Sequence, residues 1–262
     1  MQNASFTDQM QRQVSIPFPP KRIISLVPSQ TELLFDLGLD AEVVGITKFC
    51  VHPENWFKSK TKIGGTKKLD LNLIKSLQPD LIIGNKEENE KEQIEQLMAE
   101  FNVWISDISD LNDALNMISE VGMITGKFEK AQEIRENIET GFRKLKNSTE
   151  PLKVAYFIWK DPYMVAGKNT FINDVLQRSG LVNAINAERY PQLTSDEIRD
   201  CKPDRIFLSS EPYPFKGKHI AEFKQICPEA RVEIVDGEMF SWYGSRLLQA
   251  PAYLQTLCAD LG

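Results

Sequence analysis

The sequence has 262 residues, a length that suits one large domain or two modest ones. Its 42% hydrophobic and 26% charged residues are typical of a globular protein, and its net charge of −6 argues against a nucleic-acid or anionic-membrane surface, which needs clustered lysine and arginine. No run approaches the roughly 18 apolar residues of a membrane-spanning helix.

Neither the N-terminus nor the cysteines indicate export. Residues 1–22 contain no apolar segment of a secretory signal and no cysteine that could accept a lipid anchor. As written, the sequence therefore predicts a cytoplasmic chain. Cys50, Cys201, Cys227 and Cys258 are scattered without a CxxC motif, so we expect free thiols in a reducing compartment and no metal site made by the protein alone.

Short runs rich in β-branched and aromatic residues alternate with helical patterns along the whole chain. Near-continuous apolar runs of this kind predict parallel strands that are covered on both faces by helices. The predicted fold class is therefore α/β. The predicted strands occupy residues 23–27, 43–47, 81–84, 103–108, 154–159, 163–166, 206–209 and 232–235.

A short internal sequence repeat suggests that the chain forms two similar lobes. IKSLQPDLI at 74–82 resembles IRDCKPDRI at 198–206, and in each a helix ends before a proline that leads into a strand. Residues 110–151 predict two helices broken near Gly126, the second from about Lys127 to Lys146. Twenty residues would span about 30 Å and make a stiff connector. We predict an N-terminal α/β lobe at 1–122, a connecting helix at 123–150 and a C-terminal α/β lobe at 151–262.

The loops after the predicted strands contain the candidate binding residues, because ligands of open parallel sheets bind beyond the carboxyl ends of the strands. In PSQTE at 28–32, Thr31 and Glu32 suit capping of the next helix, whereas the two preceding residues lie nearer the strand end. A Cys-x-His pair can contact a soft metal or a cofactor, but two residues do not complete a tetrahedral site. The N-terminal candidates are Ser29, Gln30, Cys50, His52, Thr66 in a glycine turn, and Asn85 with Lys86 and Glu87.

The C-terminal lobe brings aromatic and cationic side chains to its loops. Flat apolar faces with a few cations suit a large, planar, partly anionic ligand. Trp242 and Tyr243 crowd a glycine loop after the last strand, an unusual place for core residues alone, and a YPF motif lies at 213–215. The candidates are Trp159, Arg189, Tyr190, Trp242, Tyr243 and Arg246.

Motifs of common enzymes are missing from the sequence. It contains no GxSxG, GxxxxGK[ST], GxGxxG or HExxH, and only two histidines. The sequence therefore favours binding over catalysis, and we predict no catalytic residue.

Three segments resemble a known family: RIISLVPSQTELLFDLGLDAEVVGIT, LNLIKSLQPDLIIGN, and FINDVLQRSGLVNAI with RYPQLTSDEI. They are similar to the helical-backbone (class III) periplasmic substrate-binding proteins of ABC importers, which take up cobalamin, haem and iron–siderophore complexes. The cobalamin-binding members are the most similar, and the resemblance extends from about Arg22 to the end of the chain. It implies two Rossmann-like lobes joined by one long helix, with a ligand cleft between the lobes and little closure on binding.

The resemblance also implies roles for individual residues. It implies that the Trp242 loop is the place where cobalamin binders carry an aromatic against the ligand. Docking on the permease would use one residue per lobe, at Asn72 and Asp196, of which only the second is acidic; Asp70 lies close to the first. The residues implied around the cleft are Ser29, Gln30, Cys50, His52, Thr66, Trp159, Arg189, Tyr190, Trp242, Tyr243 and Arg246.

Two further positions depart from the cobalamin-binding members. Those proteins have an aromatic residue around the position of Gly65-Thr66, and this sequence has none there. Some of them pair a cysteine near the C-terminal helix with a second one. Cys258 matches the first cysteine, and Ser179 stands at the position of the other.

Together, these features predict the substrate-binding component of an ABC-type importer, monomeric and without a covalent cofactor. Its expected ligand is a metal chelate: a corrinoid such as cobalamin, haem or a ferric siderophore. Two alternatives stay open at this point. One is a cytoplasmic carrier or sensor of such a chelate that lacks a permease. The other is a chelatase-like enzyme, since lobes of this kind also occur in chelatases.

Overall fold

The computed structural model of the chain describes residues 2–145 and 151–259. The chain divides into two compact units. Unit 1 comprises Met1–Ile108, Asn112–Glu139 and Tyr243–Arg246, and unit 2 comprises Ser109–Leu111, Thr140–Trp242 and Leu247–Gly262. None of the helices within the described ranges is long and apolar enough to cross a membrane.

The first fifteen elements run from the N-terminus to the helix that ends at Arg143. They are β1 (Gln2–Thr7), β2 (Gln13–Phe18), β3 (Ile23–Ser25), α1 (Pro28–Asp36), β4 (Val43–Ile46), α2 (Glu54–Ser59), β5 (Thr61–Lys62), β6 (Gly64–Gly65), β7 (Lys68–Leu69), α3 (Leu71–Leu77), β8 (Leu81–Asn85), α4 (Lys91–Met98), β9 (Val103–Ser106), α5 (Leu111–Thr125) and α6 (Phe128–Arg143).

Unit 1 is built on a five-stranded parallel sheet with the order β5-β4-β3-β8-β9. Its central strands are apolar on both faces, as the sequence predicts. Ile24, Ile82 and Ile105 are fully or almost fully buried in one core cluster with side chains of α3 and α4. The strand β3 passes abruptly into α1 because Pro28 occupies the first helical turn, where its missing N–H costs no hydrogen bond.

An antiparallel hairpin of β1 and β2 precedes this sheet, and the sequence analysis assigned no element there. Its turn is anchored by Asp8, whose buried carboxylate accepts hydrogen bonds from the backbone N–H groups of Met10, Arg12 and Ile105. The Gln9 N–H also donates to the Ile105 carbonyl, at 3.2 Å. The hairpin is therefore attached to the end of β9.

The remaining elements begin at Lys153. They are β10 (Lys153–Trp159), β11 (Tyr163–Val165), α7 (Phe171–Arg178), β12 (Val182–Asn183), β13 (Gln192–Leu193), α8 (Ser195–Asp200), β14 (Arg205–Ser209), α9 (Gly217–Ile226), β15 (Arg231–Val235), α10 (Glu238–Ser241), a 3-10 turn (Ser245–Leu248) and α11 (Ala250–Ala259).

Unit 2 has a six-stranded sheet with the order β13-β11-β10-β14-β15, and β12 also pairs with β10. The strands β10, β12, β14 and β15 are parallel, so the predicted α/β class with parallel sheets is confirmed. The strand predicted at 163–166 departs from it, because it pairs antiparallel with β10. Only residues 160–162 join the two strands, which leaves no length for the crossover that parallel strands need.

The two predicted helices broken near Gly126 are present as α5 and α6. Gly126 has a φ of +72°, the left-handed conformation that commonly ends a helix. The boundary between the units lies within α6, after Glu139. The predicted end of this helix at Lys146, and residues 147–150, lie outside the described residues. The predicted lobe boundaries at 122 and 150 stay a prediction.

Candidate ligand-binding site

The strands β3, β4, β8 and β9 are parallel, so their carboxyl ends meet at one edge of the unit 1 sheet. Ser29 and Gln30 begin α1 at this edge, Asn85 ends β8, and the loop with Cys50 and His52 follows β4. The candidate residues of the N-terminal half are therefore assembled at one edge, as parallel strand topology requires.

A buried polar network links three of these strand ends. The Gln30 side-chain amide donates to Ser106 Oγ at 2.7 Å, and the Asn85 amide donates to the same oxygen at 3.0 Å. Asn85 Oδ1 accepts from the N–H groups of Glu87 and Glu88, at 2.9 and 3.1 Å. Gln30 and Asn85 therefore hold the strand ends together, and their contact with a ligand stays a prediction.

Three buried polar atoms near the start of α1 have no hydrogen-bond partner among the described residues: Ser29 Oγ, Gln30 Oε1 and Ser245 Oγ. The backbone of Gly244 approaches α1 closely, since a Cβ atom there would lie 2.3 Å from the Ser29 carbonyl oxygen. Unsatisfied buried oxygen and hydroxyl groups are rare in proteins and require a partner such as ordered water or a ligand. This cluster is therefore a candidate place for polar ligand contacts at the unit 1 edge.

The segment Tyr243–Arg246 belongs to unit 1 and is held there by two acidic side chains. Arg246 donates two hydrogen bonds to Glu32, with Nε–Oε2 of 3.0 Å and Nη2–Oε1 of 2.8 Å, and the Tyr243 hydroxyl donates to Glu88. Burial raises the pKa of Glu32 in spite of the attraction of Arg246. The ligand contact predicted for Arg246 would therefore compete with a structural ion pair.

The expected capping role of Thr31 and Glu32 is wrong. The N-cap of α1 is Val27, whose side chain makes no capping hydrogen bond, and Thr31 is the fourth residue of the helix. Its hydroxyl donates back to the Val27 carbonyl oxygen at 2.9 Å. The helix starts earlier than expected because Pro28 fixes the backbone of its first residue.

Cys50 lies on the predicted loop after β4, but its thiol belongs to the core, and its contact with a ligand stays a prediction. Cys50 is fully buried, with its sulfur 3.0 Å from Thr31 Oγ1 and 3.1 Å from Thr47 Oγ1. Burial raises the pKa of this thiol. Cys50 lies on a loop, but the loop turns its side chain into the core of unit 1.

The neighbouring Phe49 is the aromatic residue that the sequence analysis missed. Its side chain is 49% exposed at the carboxyl end of β4, and its ring lies against Gly65, where a Cβ atom would be 2.9 Å from Phe49 Cε2. The Lys48 ammonium lies 5.2 Å from the ring centroid. His52 and Thr66, in the same loop and in the Gly65 turn, are partly exposed.

The corresponding edge of unit 2 presents a second aromatic surface. Trp159 ends β10 with 40% of its side chain exposed, and the Tyr213 ring packs edge-on against it with 5.5 Å between centroids. Tyr213 belongs to the YPF motif that the sequence analysis singled out without assigning it to the site. Arg189 and Tyr190 precede β13, and the Arg189 guanidinium lies 5.9 Å from the Tyr190 ring centroid.

Trp242 lies at the same edge of unit 2, where β15 leads into α10. The ring is buried, and its Nε1–H donates to Glu211 Oε1 at 2.8 Å. Burial raises the pKa of Glu211, and the hydrogen bonds from Ser241 and Trp242 oppose that shift. The role of Trp242 against a ligand stays a prediction, whereas its orientation by Glu211 is a feature that the sequence did not indicate.

The two positions predicted to dock on a permease occupy matching places in two helices. Asn72 is the second residue of α3, whose N-cap is Asp70, and Asp196 is the second residue of α8, whose N-cap is Thr194. Both side chains are exposed. Across the described ranges, no group of three or more His, Cys, Asp or Glu side chains is arranged to hold a metal ion.

Comparison with known proteins finds relatives that include the following two. The chain is 28% identical over 214 residues to an uncharacterized ABC transporter substrate-binding lipoprotein of Bacillus subtilis, covering 76% of this chain and 67% of that protein. It is 27% identical over 221 residues to a vitamin B12-binding protein of Vibrio parahaemolyticus, covering 81% and 79%.

Solved structures share the fold. The periplasmic vitamin B12 binding protein of Vibrio cholerae superimposes with a TM-score of 0.81 at 20% identity over 93% of this chain and 98% of that one. A periplasmic heme-binding protein from Roseiflexus sp. RS-1 gives a TM-score of 0.79 at 22% identity over 91% and 97%. The family model described as periplasmic binding protein matches residues 23–226, and the chain therefore belongs to the periplasmic binding protein family.

Proposed function

We propose that this chain is the substrate-binding component of an ABC-type importer and that its ligand is a metal chelate with a broad, flat apolar face. The relative from Bacillus subtilis, named as an ABC transporter substrate-binding lipoprotein, supports the transport role. The relative from Vibrio parahaemolyticus, named as a vitamin B12-binding protein, supports a corrinoid as the first ligand to test. Haem and ferric siderophores are the other chelates of this class.

One observation carries the proposal: each unit presents a half-exposed aromatic ring at the carboxyl end of a parallel strand. Phe49 is 49% exposed after β4, and Trp159 is 40% exposed at the end of β10. Large exposed rings at ligand-binding strand ends lose solvent contact favourably when a flat apolar group covers them. Lys48 beside Phe49 and Arg189 beside Tyr190 add cations that suit propionate, phosphate or catecholate groups.

The first experiment is a titration of the purified chain with cyanocobalamin, dicyanocobinamide, haemin and one ferric siderophore, followed by visible absorbance and thermal shift. Ferric chloride and zinc chloride serve as controls for the metal alone. We expect one chelate to bind and to be recovered with an unchanged spectrum. A carrier returns its ligand unchanged, whereas an enzyme that acts on the chelate would alter the spectrum. If none of the chelates binds, the proposed function is wrong.

The second experiment asks whether the exposed rings make the site. We expect Phe49→Ala and Trp159→Ala each to weaken binding about 30-fold, the lower limit of an aromatic hot spot. Phe57→Ala is the matched control, because Phe57 is 37% exposed and also lies beside a lysine, but on α2 instead of a strand end. Equal affinities of all three variants would contradict the assignment of the site.

Docking on a permease is proposed through the exposed first turns of α3 and α8. Asp196 supplies a negative charge there, and Asn72 supplies a polar group without charge. We expect Asp196→Ala to reduce ligand-dependent stimulation of the transporter ATPase while leaving chelate affinity unchanged. Asp200→Ala, an exposed acidic residue at the other end of α8, should leave both unchanged.

A further inference from the structure

Glu211 lies where two neighbouring parallel strands of unit 2 end together. The register pairs Ser209 of β14 with Val235 of β15, and the Ser210 N–H continues the pairing by donating to the Val235 carbonyl at 2.9 Å. Ser210 Oγ then accepts from the Gly237 N–H at 2.9 Å. These bonds hold the loop of Glu211 beside the segment that leads through α10 to Trp242.

The carboxylate of Glu211 is directed at that segment. Its Oε1 accepts from Trp242 Nε1–H at 2.8 Å and from the Ser241 hydroxyl at 2.9 Å. The backbone of Glu211 is fixed as well, since its carbonyl oxygen accepts from Ser209 Oγ at 2.5 Å. Ser209 Oγ in turn accepts from the buried Tyr156 hydroxyl at 3.1 Å. Side chain and backbone of Glu211 are therefore both held in one orientation.

An ion pair does not account for this carboxylate. Among the described residues, no lysine, arginine or histidine lies within ion-pair distance of Glu211, although its side chain is partly buried. The ionisable groups that face it are Asp236 and Glu238 from the segment after β15 and Tyr156 from β10, none of which is cationic. A partly buried carboxylate without an ion-pair partner lowers the stability of the fold. The structural role of Glu211 must therefore come from the two hydrogen bonds that its carboxylate accepts.

Gly237 provides the space that this arrangement needs. A Cβ atom at this position would lie 2.3 Å from Ser209 Oγ and 2.7 Å from Glu211 Cγ. Its backbone has φ −62° and ψ −34°, which any residue can adopt. A side chain at 237 is thus excluded by contact with Ser209 and Glu211 and not by backbone strain.

We propose that Glu211 is the positioning residue of Trp242: its carboxylate, given room by Gly237, fixes the indole plane in the orientation that the ligand meets. The indole has a single N–H donor, so one acceptor determines the rotation of the ring about its side-chain bonds. A charged acceptor makes this hydrogen bond stronger than a neutral one. The inference rests on the proposed function and on the predicted contact of Trp242 with the chelate, but the orientation itself can be tested without any ligand.

The ligand-free test is a ¹⁵N–¹H correlation spectrum of the full chain, in which the four tryptophans give four indole N–H signals. The Trp242→Phe variant identifies the signal of Trp242. We expect this signal to titrate with Glu211 when the pH is lowered from 8 toward 4, to stop titrating in Glu211→Gln, and to move upfield in Glu211→Ala. Glu238→Gln is the matched control and should leave the titration in place.

Two results would overturn the assignment: a Trp242 signal that does not titrate, or one that titrates equally in Glu211→Gln. Unchanged signals of the other three indoles report that each variant is folded. If Glu211→Ala fails to fold, Gly237→Ala displaces the same carboxylate while both partners remain in the chain. We expect it to shift the Trp242 signal in the same direction as Glu211→Ala, and an unshifted signal would count against the proposal.

The second arm measures affinity for cyanocobalamin and haemin by visible absorbance. For the probe that the wild-type chain binds, we expect Glu211→Gln to stay within about 3-fold of wild type, because the amide oxygen still accepts from the indole. Glu211→Ala should weaken binding about 10-fold. Unchanged affinity in Glu211→Ala would refute the positioning role. If the wild-type chain binds neither probe but does bind dicyanocobinamide or the ferric siderophore, that chelate replaces them in this comparison. A chain that binds none of the four would count against the proposed function, and the indole titration would then decide on Glu211 alone.

Discussion

The buried ion pair of Glu32 and Arg246 offers the most direct test of how unit 1 is held together. The two side chains are only 13% and 10% exposed, and two hydrogen bonds of 2.8 and 3.0 Å join them. Replacing Arg246 by Met keeps most of the aliphatic volume but leaves a carboxylate in a desolvated position without its cation. Removing one partner of such a pair typically costs about 3–5 kcal/mol at neutral pH.

The pH dependence of this loss follows from the pKa of Glu32. Burial raises that pKa above its unfolded value, so the folded state binds a proton more tightly than the unfolded state does. The carboxylate therefore destabilises the folded chain at pH values above its folded pKa, and the penalty disappears as the pH falls through that value toward the unfolded pKa. Without Arg246 the folded pKa rises further, so the loss in Arg246→Met should be largest near pH 7.5 and clearly smaller near pH 4.5.

Urea unfolding at these two pH values measures the effect. A loss of about 3 kcal/mol should also lower the melting temperature by roughly 10 °C for a unit of this size. The double variant Glu32→Gln/Arg246→Met should recover most of the stability, since no buried charge is left. Lys58→Met, which breaks a pair that is 70% and 77% exposed, is the control and should change little. A loss below about 1 kcal/mol, or one that does not shrink at low pH, would refute the reasoning.

Three further predictions concern other parts of the chain. The Cys50 thiol should resist Ellman's reagent at pH 8 until urea unfolds the chain, because burial raises its pKa and excludes the reagent. Rapid labelling of Cys50 in the native chain, identified by mass spectrometry, would contradict its burial. Ser179→Cys should form a disulfide with Cys258, whose sulfur lies 3.5 Å from the Ser179 carbonyl oxygen, and should stabilise the oxidised chain by about 2–4 kcal/mol. Five free thiols after oxidation, instead of three, would speak against this geometry. Asp8→Ala should lower the free energy of unfolding by about 3 kcal/mol, because it leaves N–H donors of the hairpin turn and of β9 unpaired. An unchanged urea midpoint would show that the Asp8 carboxylate does not anchor the hairpin.

The sequence predicted best the strands that consist of a run of apolar residues. All eight predicted strands are present. Strands such as β3, β8 and β9 are apolar runs buried on both faces, the pattern of central parallel strands, whereas β11 and β15 are only partly buried. The hairpin of β1 and β2 was missed, since Val14 and Ile16 are the only buried residues of β2 and Phe18 at its end is exposed. The two-residue strands, such as β5 and β13, carry too few residues for any periodic pattern.

The candidate site was predicted at the level of loops and not of side chains. The sequence located the loop after β4, but it could not tell that Cys50 turns inward and is buried while Phe49, one residue earlier, is half exposed. Depth below the surface is a property of the folded loop and has no signal in a single sequence. The pairing of Glu32 with Arg246 was equally hidden, because 214 residues separate the two side chains.

The missing aromatic around Gly65-Thr66 is best understood together with Phe49. Solved structures named for vitamin B12 and for heme share this fold at about 20% identity, so the side chains at the strand ends, and not the fold, must select the ligand. In this chain the Phe49 ring occupies the space in front of Gly65, and any Cβ atom at position 65 would lie 2.9 Å from it. A glycine at 65 and an aromatic ring at 49 therefore belong together in this chain, because the ring leaves no room for a side chain at 65. Phe49 thus gives this edge of unit 1 a half-exposed aromatic ring, although the glycine turn itself carries none.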